Sequence, residues 1–130
     1  MKYLGIIDRS EVNKLYGCAR VGLVLYQPAA NHVNAQPIKM FEYMAAGLPS
    51  VVSNFPLWME LVGENACGIC VDPTSPQAVH EAIQYLLEHP VEAQTMGRNG
   101  RKNVMEKYNW GVEEKKLLAL YQDILEEKAQ

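Results

Sequence analysis

Short apolar runs alternate with helical patterns along this chain, and that alternation limits its fold more than any other feature. Residues 21–26 (VGLVLY) form a continuous apolar run of the kind buried on both faces of a parallel sheet. Ser50–Ser53 and Gly68–Val71 read as further strands, and residues 3–7 as a short first one. Helices fall between them. Asp8-Arg9-Ser10-Glu11 is a helix-start signal, with Asp8 or Ser10 as cap, for a helix reaching about Ala19 that turns Val12, Leu15, Tyr16 and Ala19 inward. Pro37 suits the first position of a helix, where its missing N–H costs nothing, and Gly47 ends that helix after Ala46. A short helix covers residues 57–62. Thr74-Ser75-Pro76-Gln77 caps another, whose Val79, Ala82, Ile83, Leu86 and Leu87 make one amphipathic stripe before Pro90 ends it. Two helices follow, at 91–108, weakened by Gly97 and Gly100, and at 111–128, with Leu117, Leu118, Tyr121, Ile124 and Leu125 on its apolar side. Trp110 and Tyr121 read as packing residues. This order specifies an α/β domain with a partial doubly wound, Rossmann-like parallel sheet.

The 130 residues read as one domain, 1–130, with an apolar fraction of 48% and a charged fraction of 21%, ordinary for a globular protein. The net charge is −3 with no cluster of Lys or Arg, which disfavours nucleic acid as a partner. Nothing resembles the roughly 20-residue apolar run that spans a bilayer. The opening apolar stretch is too short for a signal peptide and stops at Asp8-Arg9, so the expected location is cytoplasmic. Three cysteines argue against a secreted disulfide scaffold. Cys67-Gly-Ile-Cys70 matches C-x-x-C, but no second such pair follows. On a strand, residues three apart face opposite sides, poor geometry for a shared metal. No metal or cofactor is expected.

In open α/β sheets ligands bind at the carboxyl ends of the strands. The polar loop 27–36 leaves that end of the VGLVLY run and enters the Pro37 helix. Helix N-termini present unpaired N–H groups and partial positive charge, so an anionic ligand is expected there. The segment has no G-x-G-x-x-G or G-K-[ST] phosphate loop. Glu42, in the second turn, has two readings: a carboxylate that accepts two O–H donors from a ligand, or a surface residue paired with Lys39 at i,i+3. Asn34 is a candidate ligand contact or a turn residue, His32 a cleft or an exposed loop residue. Ser53 and Asn54 rim the site or make an ordinary turn.

Residues 34–53 (NAQPIKMFEYMAAGLPSVVS) resemble the family-four, group 1 retaining glycosyltransferases, in the P-x-K-x-F-E-Y-M-A-A-G-x-P-V-V variant of their E-x7-E region. Residues 21–25 (VGLVL), 68–73 (GICVDP), 96–101 (MGRNGR) and Tyr108-Asn109-Trp110 match further motifs of the family in the same order. The resemblance covers nearly all of the chain and implies the C-terminal, donor-binding portion of a GT-B fold. It implies that Glu42 accepts from the ribose hydroxyls of a UDP- or GDP-linked sugar. It implies that the N–H groups of Ile38, Lys39 and Met40 face the donor diphosphate, and that Asn34, Ala35 and Gln36 belong to the same donor-binding segment. The family's first Glu falls on Asn34, which keeps an acceptor but loses the charge that would support an oxocarbenium-like centre.

The resemblance further implies sugar transfer with retention in polysaccharide or glycolipid assembly, at the cytoplasmic face of a membrane in the parent protein. Residues 3–7 correspond to the third strand of the donor domain. Its first two strands and the acceptor-binding N-terminal domain are then missing, and the isolated chain is expected to be inactive. Without those strands the 21–26 run becomes an exposed edge, open to residues 3–7 or to a second chain in a homodimer. The rival expectations are a non-catalytic nucleotide-binding or interaction module and the related GT-B epimerases.

Overall fold

A computed structural model describes residues 3–33, 35, 37–107 and 111. Three parallel strands, β1 (Gly22–Val24), β2 (Ser50–Ser53) and β3 (Gly68–Val71), lie side by side in chain order. Val24 pairs with Val52, and Val52 with Cys70. Every residue of β2 is buried, because β2 has a neighbour on each side and packing on each face. Its two serines are satisfied internally. The Ser53 hydroxyl donates to the Tyr26 carbonyl at 2.8 Å and accepts from the Tyr26 N–H at 2.9 Å, which carries the β1–β2 contact past the end of the ladder.

Helices cover both faces, as the alternating pattern requires. On one side lie α3 (Ile38–Ala45), α4 (Pro56–Trp58) and a π-helical turn, Met59–Glu64, that continues α4. Met40, Met44, Phe55, Trp58, Leu61 and Val62 pack there with Val24, Val52 and Cys67. The other face receives α5 (Pro76–Glu88) through Ala82 and Leu86, against Val51 and Val71. Ser75 caps α5, its hydroxyl accepting from the Ala78 N–H. Val79 and Ile83 are half-buried as the stripe predicts, while Leu87 stays 43% exposed at its margin.

Gly97 and Gly100 are expected to weaken α6 (Pro90–Glu106), yet both are buried and set its packing. A Cβ on Gly97 would lie 2.0 Å from the carbonyl oxygen of Gly47, which itself takes φ +72° just past α3. The two glycines bring α6 against the end of α3, backbone to backbone. The 111–128 helix, with Tyr108, Trp110 and Tyr121, lies outside the described residues.

Several expectations are corrected. Residues 3–7 are not a strand: they lack regular structure, with Tyr3 92% and Ile6 103% exposed. An apolar run becomes a strand only where a neighbour takes its backbone bonds, and among the described residues β2 is the only strand beside β1. The run at 21–26 yields only Gly22–Val24 as strand, with Leu23 42% exposed, because α5 covers β2 and β3 rather than β1. The α1 helix (Arg9–Cys18), capped by the Asp8 carboxylate on the Glu11 N–H, buries none of its residues. Val12 and Tyr16 are half-buried, whereas Leu15 and Ala19 are exposed. Loop 27–36 contains a short helix, α2 (Ala30–Val33). The two thiols of C-x-x-C share one side of the sheet, because Cys67 precedes β3 rather than lying on it. The Cys67 thiol points to the Leu61 and Val62 carbonyls and that of Cys70 to Trp58, and burial pushes both above the usual thiol range, Cys67 to about 11. Both therefore stay protonated, the form least suited to metal or redox chemistry.

Candidate functional site

The start of α3 lies at the carboxyl end of β1. Pro37 is its cap residue, with extended backbone (φ −62°, ψ 133°) and no side-chain cap, rather than its first helical residue. The N–H groups of Ile38 and Lys39 take no acceptor among the described residues. Met40 differs from expectation. Its N–H donates to the Pro37 carbonyl at 3.1 Å, a tight first-turn bond, and its side chain is in the core. Lys39 is exposed and unpaired with Glu42.

Ile38, Phe41, Glu42 and Ala45 share one face of α3 by helical spacing. With Arg9, Asn13 and Tyr16 of α1 they line an open cleft of about 500 Å³. The Glu42 carboxylate is the polar centre of this cleft, with its side chain 23% exposed. Its Oε1 accepts from Arg9 Nη1 at 2.8 Å and its Oε2 from the Tyr16 hydroxyl at 2.7 Å. The Tyr16 hydrogen bond first, then the one from Arg9, hold the carboxyl below the ordinary range, so it is ionised at neutral pH. Tyr16 responds in kind: burial, then the bond to Glu42, raise its hydroxyl to about 12. Tyr16 also meets the Tyr43 ring edge-on at 5.7 Å, and the Tyr43 hydroxyl donates to the Leu23 carbonyl at 3.2 Å. The polar side chains of α3 thus join α1 to the open edge of the sheet.

The loop before α3 is tied to the core at both ends. Gln27 Nε2 donates to the Pro73 carbonyl at 3.1 Å, across the mouth of the strands. His32 shares a bond with the Gln27 carbonyl through Nδ1 at 3.0 Å, with its ring 5.1 Å from that of Tyr26. At the far end the Trp58 indole N–H donates to the Ala35 carbonyl at 2.6 Å. Asn34 and Gln36 lie outside the described residues. Ser53 is fully buried and serves the sheet, and the Asn54 N–H is taken by the Val71 carbonyl at 2.8 Å. Of the candidates, the structure brings Ile38 and Glu42 to one cleft, leaves Lys39 exposed, sets Ala35 against Trp58, and turns the Met40 N–H to the Pro37 carbonyl. Arg9, Tyr16 and Trp58 were not foreseen. The only signal for the first two was their place in a helix with few apolar residues to bury.

An open parallel sheet with helices on both faces, a helix start at the carboxyl end of a strand and a charged carboxylate one turn on define a doubly wound, Rossmann-like α/β domain. The family model for Glycosyl transferases group 1 matches residues 1–103, and the chain belongs to that family. It is 29% identical to an uncharacterised glycosyltransferase of Methanocaldococcus jannaschii over 95% of this chain and 30% of that protein. It is 30% identical to the human alpha-1,3/1,6-mannosyltransferase ALG2 over 78% of this chain and 23% of that protein. Among solved structures, sucrose-phosphate synthase from Thermosynechococcus elongatus superposes with a TM-score of 0.79 at 28% identity, over 95% of this chain and 30% of that one. The chain spans less than a third of the length of these relatives. The resemblance to the C-terminal portion of a GT-B, group 1 glycosyltransferase is upheld by family, relatives and fold alike.

Proposed function

We propose that this chain is the part of a glycosyltransferase that holds a nucleotide-linked sugar, with the diphosphate at the Ile38 and Lys39 amides and the ribose at Glu42. The observation that carries this reading is the i,i+4 pairing of an unpaired helix-start amide at Ile38 with a charged, part-exposed carboxylate at Glu42, both lining one cleft. Arg9 and Tyr16 use one lone pair on each carboxylate oxygen. Each oxygen retains acceptor capacity for a ribose hydroxyl. Lys39, exposed on the first turn of α3, adds positive charge beside the diphosphate. Asn34, Ala35 and Gln36 complete the donor-binding segment in this reading.

Transfer itself needs the acceptor positioned against the donor, which accounts for several kcal/mol of a typical barrier. In this reading that second wall comes from outside these 130 residues, and the chain by itself binds without transferring. The reaction of the whole protein would serve polysaccharide or glycolipid assembly at the cytoplasmic face of a membrane, and the open side of β1 is where a second copy would pair.

Calorimetric titration of UDP, GDP and their sugars tests the proposal. One of the nucleotides should bind the natural chain, and Glu42→Ala should abolish that binding. Absence of binding to the natural chain would overturn the reading in favour of a non-catalytic interaction module, in which Glu42 serves only to hold α1.

A further inference from the structure

Loop 27–36 has to deliver the start of α3 to a fixed place, since a displacement near 1 Å at a binding group is enough to lose much of its effect. Among the described residues of the loop several hydrogen bonds are internal: His32 and Val33 N–H donate to the Ala29 carbonyl, and Ala35 N–H to that of His32. Such bonds shape the loop without fixing it to the sheet. Its first residues are fixed by Tyr26, whose backbone is clasped by Ser53, and by Gln27 on the Pro73 carbonyl. Its last turn is held by the Trp58 indole on the Ala35 carbonyl at 2.6 Å.

Trp58 is suited to that task. It is fully buried, so its N–H, a donor only, must find a partner inside the protein. Its ring packs against Phe55 at 4.7 Å and Tyr26 at 5.4 Å, and Tyr26 in turn meets His32 at 5.1 Å. One aromatic cluster therefore reaches both ends of the loop. Ala35 stands three residues before Ile38, whose amide is the first of the proposed diphosphate donors.

We infer that Trp58 is the positioning residue of the donor-binding segment, fixing the Ala35 carbonyl and through it the amides of Ile38 and Lys39. The inference rests on the nucleotide-binding reading for its consequence but not for its geometry. Trp58→Phe keeps an aromatic ring, smaller than the indole, and removes the donor; Phe55→Leu is the matched loss of core volume in the same cluster and leaves the bond. Hydrogen exchange and titration of UDP and GDP on both variants separate positioning from packing. In Trp58→Phe, amides of residues 30–40 should exchange faster while those of β2 and β3 keep their protection, and nucleotide should bind about five- to ten-fold more weakly, the equivalent of one neutral hydrogen bond. In Phe55→Leu the melting temperature should fall, with nucleotide affinity unchanged within about two-fold and no selective loosening of 30–40. Equal protection and affinity in Trp58→Phe and the natural chain would overturn the inference, as would loosening spread evenly over the domain. If the natural chain binds neither nucleotide, the functional reading fails, and the exchange pattern of Trp58→Phe still decides whether Trp58 holds the loop.

Discussion

Arg9 Nη1 donates to Glu42 Oε1 at 2.8 Å, joining the first residue of α1 to the second turn of α3 across 33 residues. Since α1 buries none of its side chains, its place depends on this carboxylate, which also takes the Tyr16 hydroxyl. Glu42→Ala should therefore free α1 while leaving the sheet intact. The check is hydrogen exchange: amides of Arg9–Cys18 lose protection and those of β2 keep it. Tyr16→Phe, which removes a hydrogen bond to a charged acceptor at a partly exposed site, should cost about 1 kcal/mol in urea unfolding. Arg9→Ala should have a smaller effect that fades in high salt, because its guanidinium is solvated. Unchanged protection of α1 in Glu42→Ala would contradict this account.

Because Glu42 has two proposed duties, holding α1 and holding ribose, the variants must separate them. Tyr16→Phe loosens α1 and leaves the carboxylate, so nucleotide affinity should stay within about three-fold, the cost of a partial loss of order. Glu42→Gln keeps the shape and loses the charge, so affinity should fall by about ten-fold or more, the difference between charged and neutral acceptors. Titration of UDP and GDP against both variants decides. Equal losses would mean that Glu42 acts only through α1.

The cleft also fixes a pH dependence with a definite sign. The folded pKa of Glu42 lies below its ordinary value, so its contribution is present above the ordinary carboxylate range and is lost as pH falls through the depressed value. Tyr16 is raised, so its contribution is complete below pH 10 and is lost as pH rises through about 12. α1 should stay docked across the neutral range and detach at both extremes. In an ultraviolet titration Tyr16 should ionise late, near pH 12, and Tyr16→Phe should remove that late step. Glu42→Ala should bring the step part of the way down, since burial, the larger cause, remains.

How much of this was legible beforehand follows the range of the interactions. β2, β3, the Ser75 cap and the stripe of α5 are set by neighbours a few residues apart, and local pattern was enough for them. Residues 3–7 carry the same kind of apolar run, but a strand is defined by its partner, and periodicity does not say whether one exists. The site divides in the same way. Glu42 and Ile38 were readable from their place in a helix after a strand. Their surroundings were not: Arg9 lies 33 residues from Glu42, Tyr16 lies 26, and Trp58 lies 23 from Ala35. Lys39, the partner that helical spacing offers Glu42, was displaced by two donors from another helix.

The cysteines give a chemical test of the packing. Cys18 is exposed, Cys70 half-buried and Cys67 buried, and burial keeps the last two thiols protonated near neutral pH. Alkylation of the native chain should therefore label Cys18 first and Cys67 last, as read by mass spectrometry of digests. Rapid labelling of Cys67 without denaturant would show that the π-helical turn above it opens readily.

Two glycines predict opposite signs for one substitution. Gly97 meets the carbonyl of Gly47, and an added Cβ at 2.0 Å forces α6 away from α3, the most extensive helix contact among the described residues. Overpacking of this kind costs about 1–3 kcal/mol, and here the obstacle is backbone that cannot rotate aside, so the upper end applies to Gly97→Ala. Gly17, in the last turn of α1, has nothing within 4 Å of its Cβ position. Gly17→Ala should gain up to about 1 kcal/mol of helix propensity, less for a position close to the helix end. Urea unfolding measures both. A destabilised Gly17→Ala would mean that the cleft between α1 and α3 closes further than the structure shows, while a neutral Gly97→Ala would mean that α6 does not rest on α3 at that point.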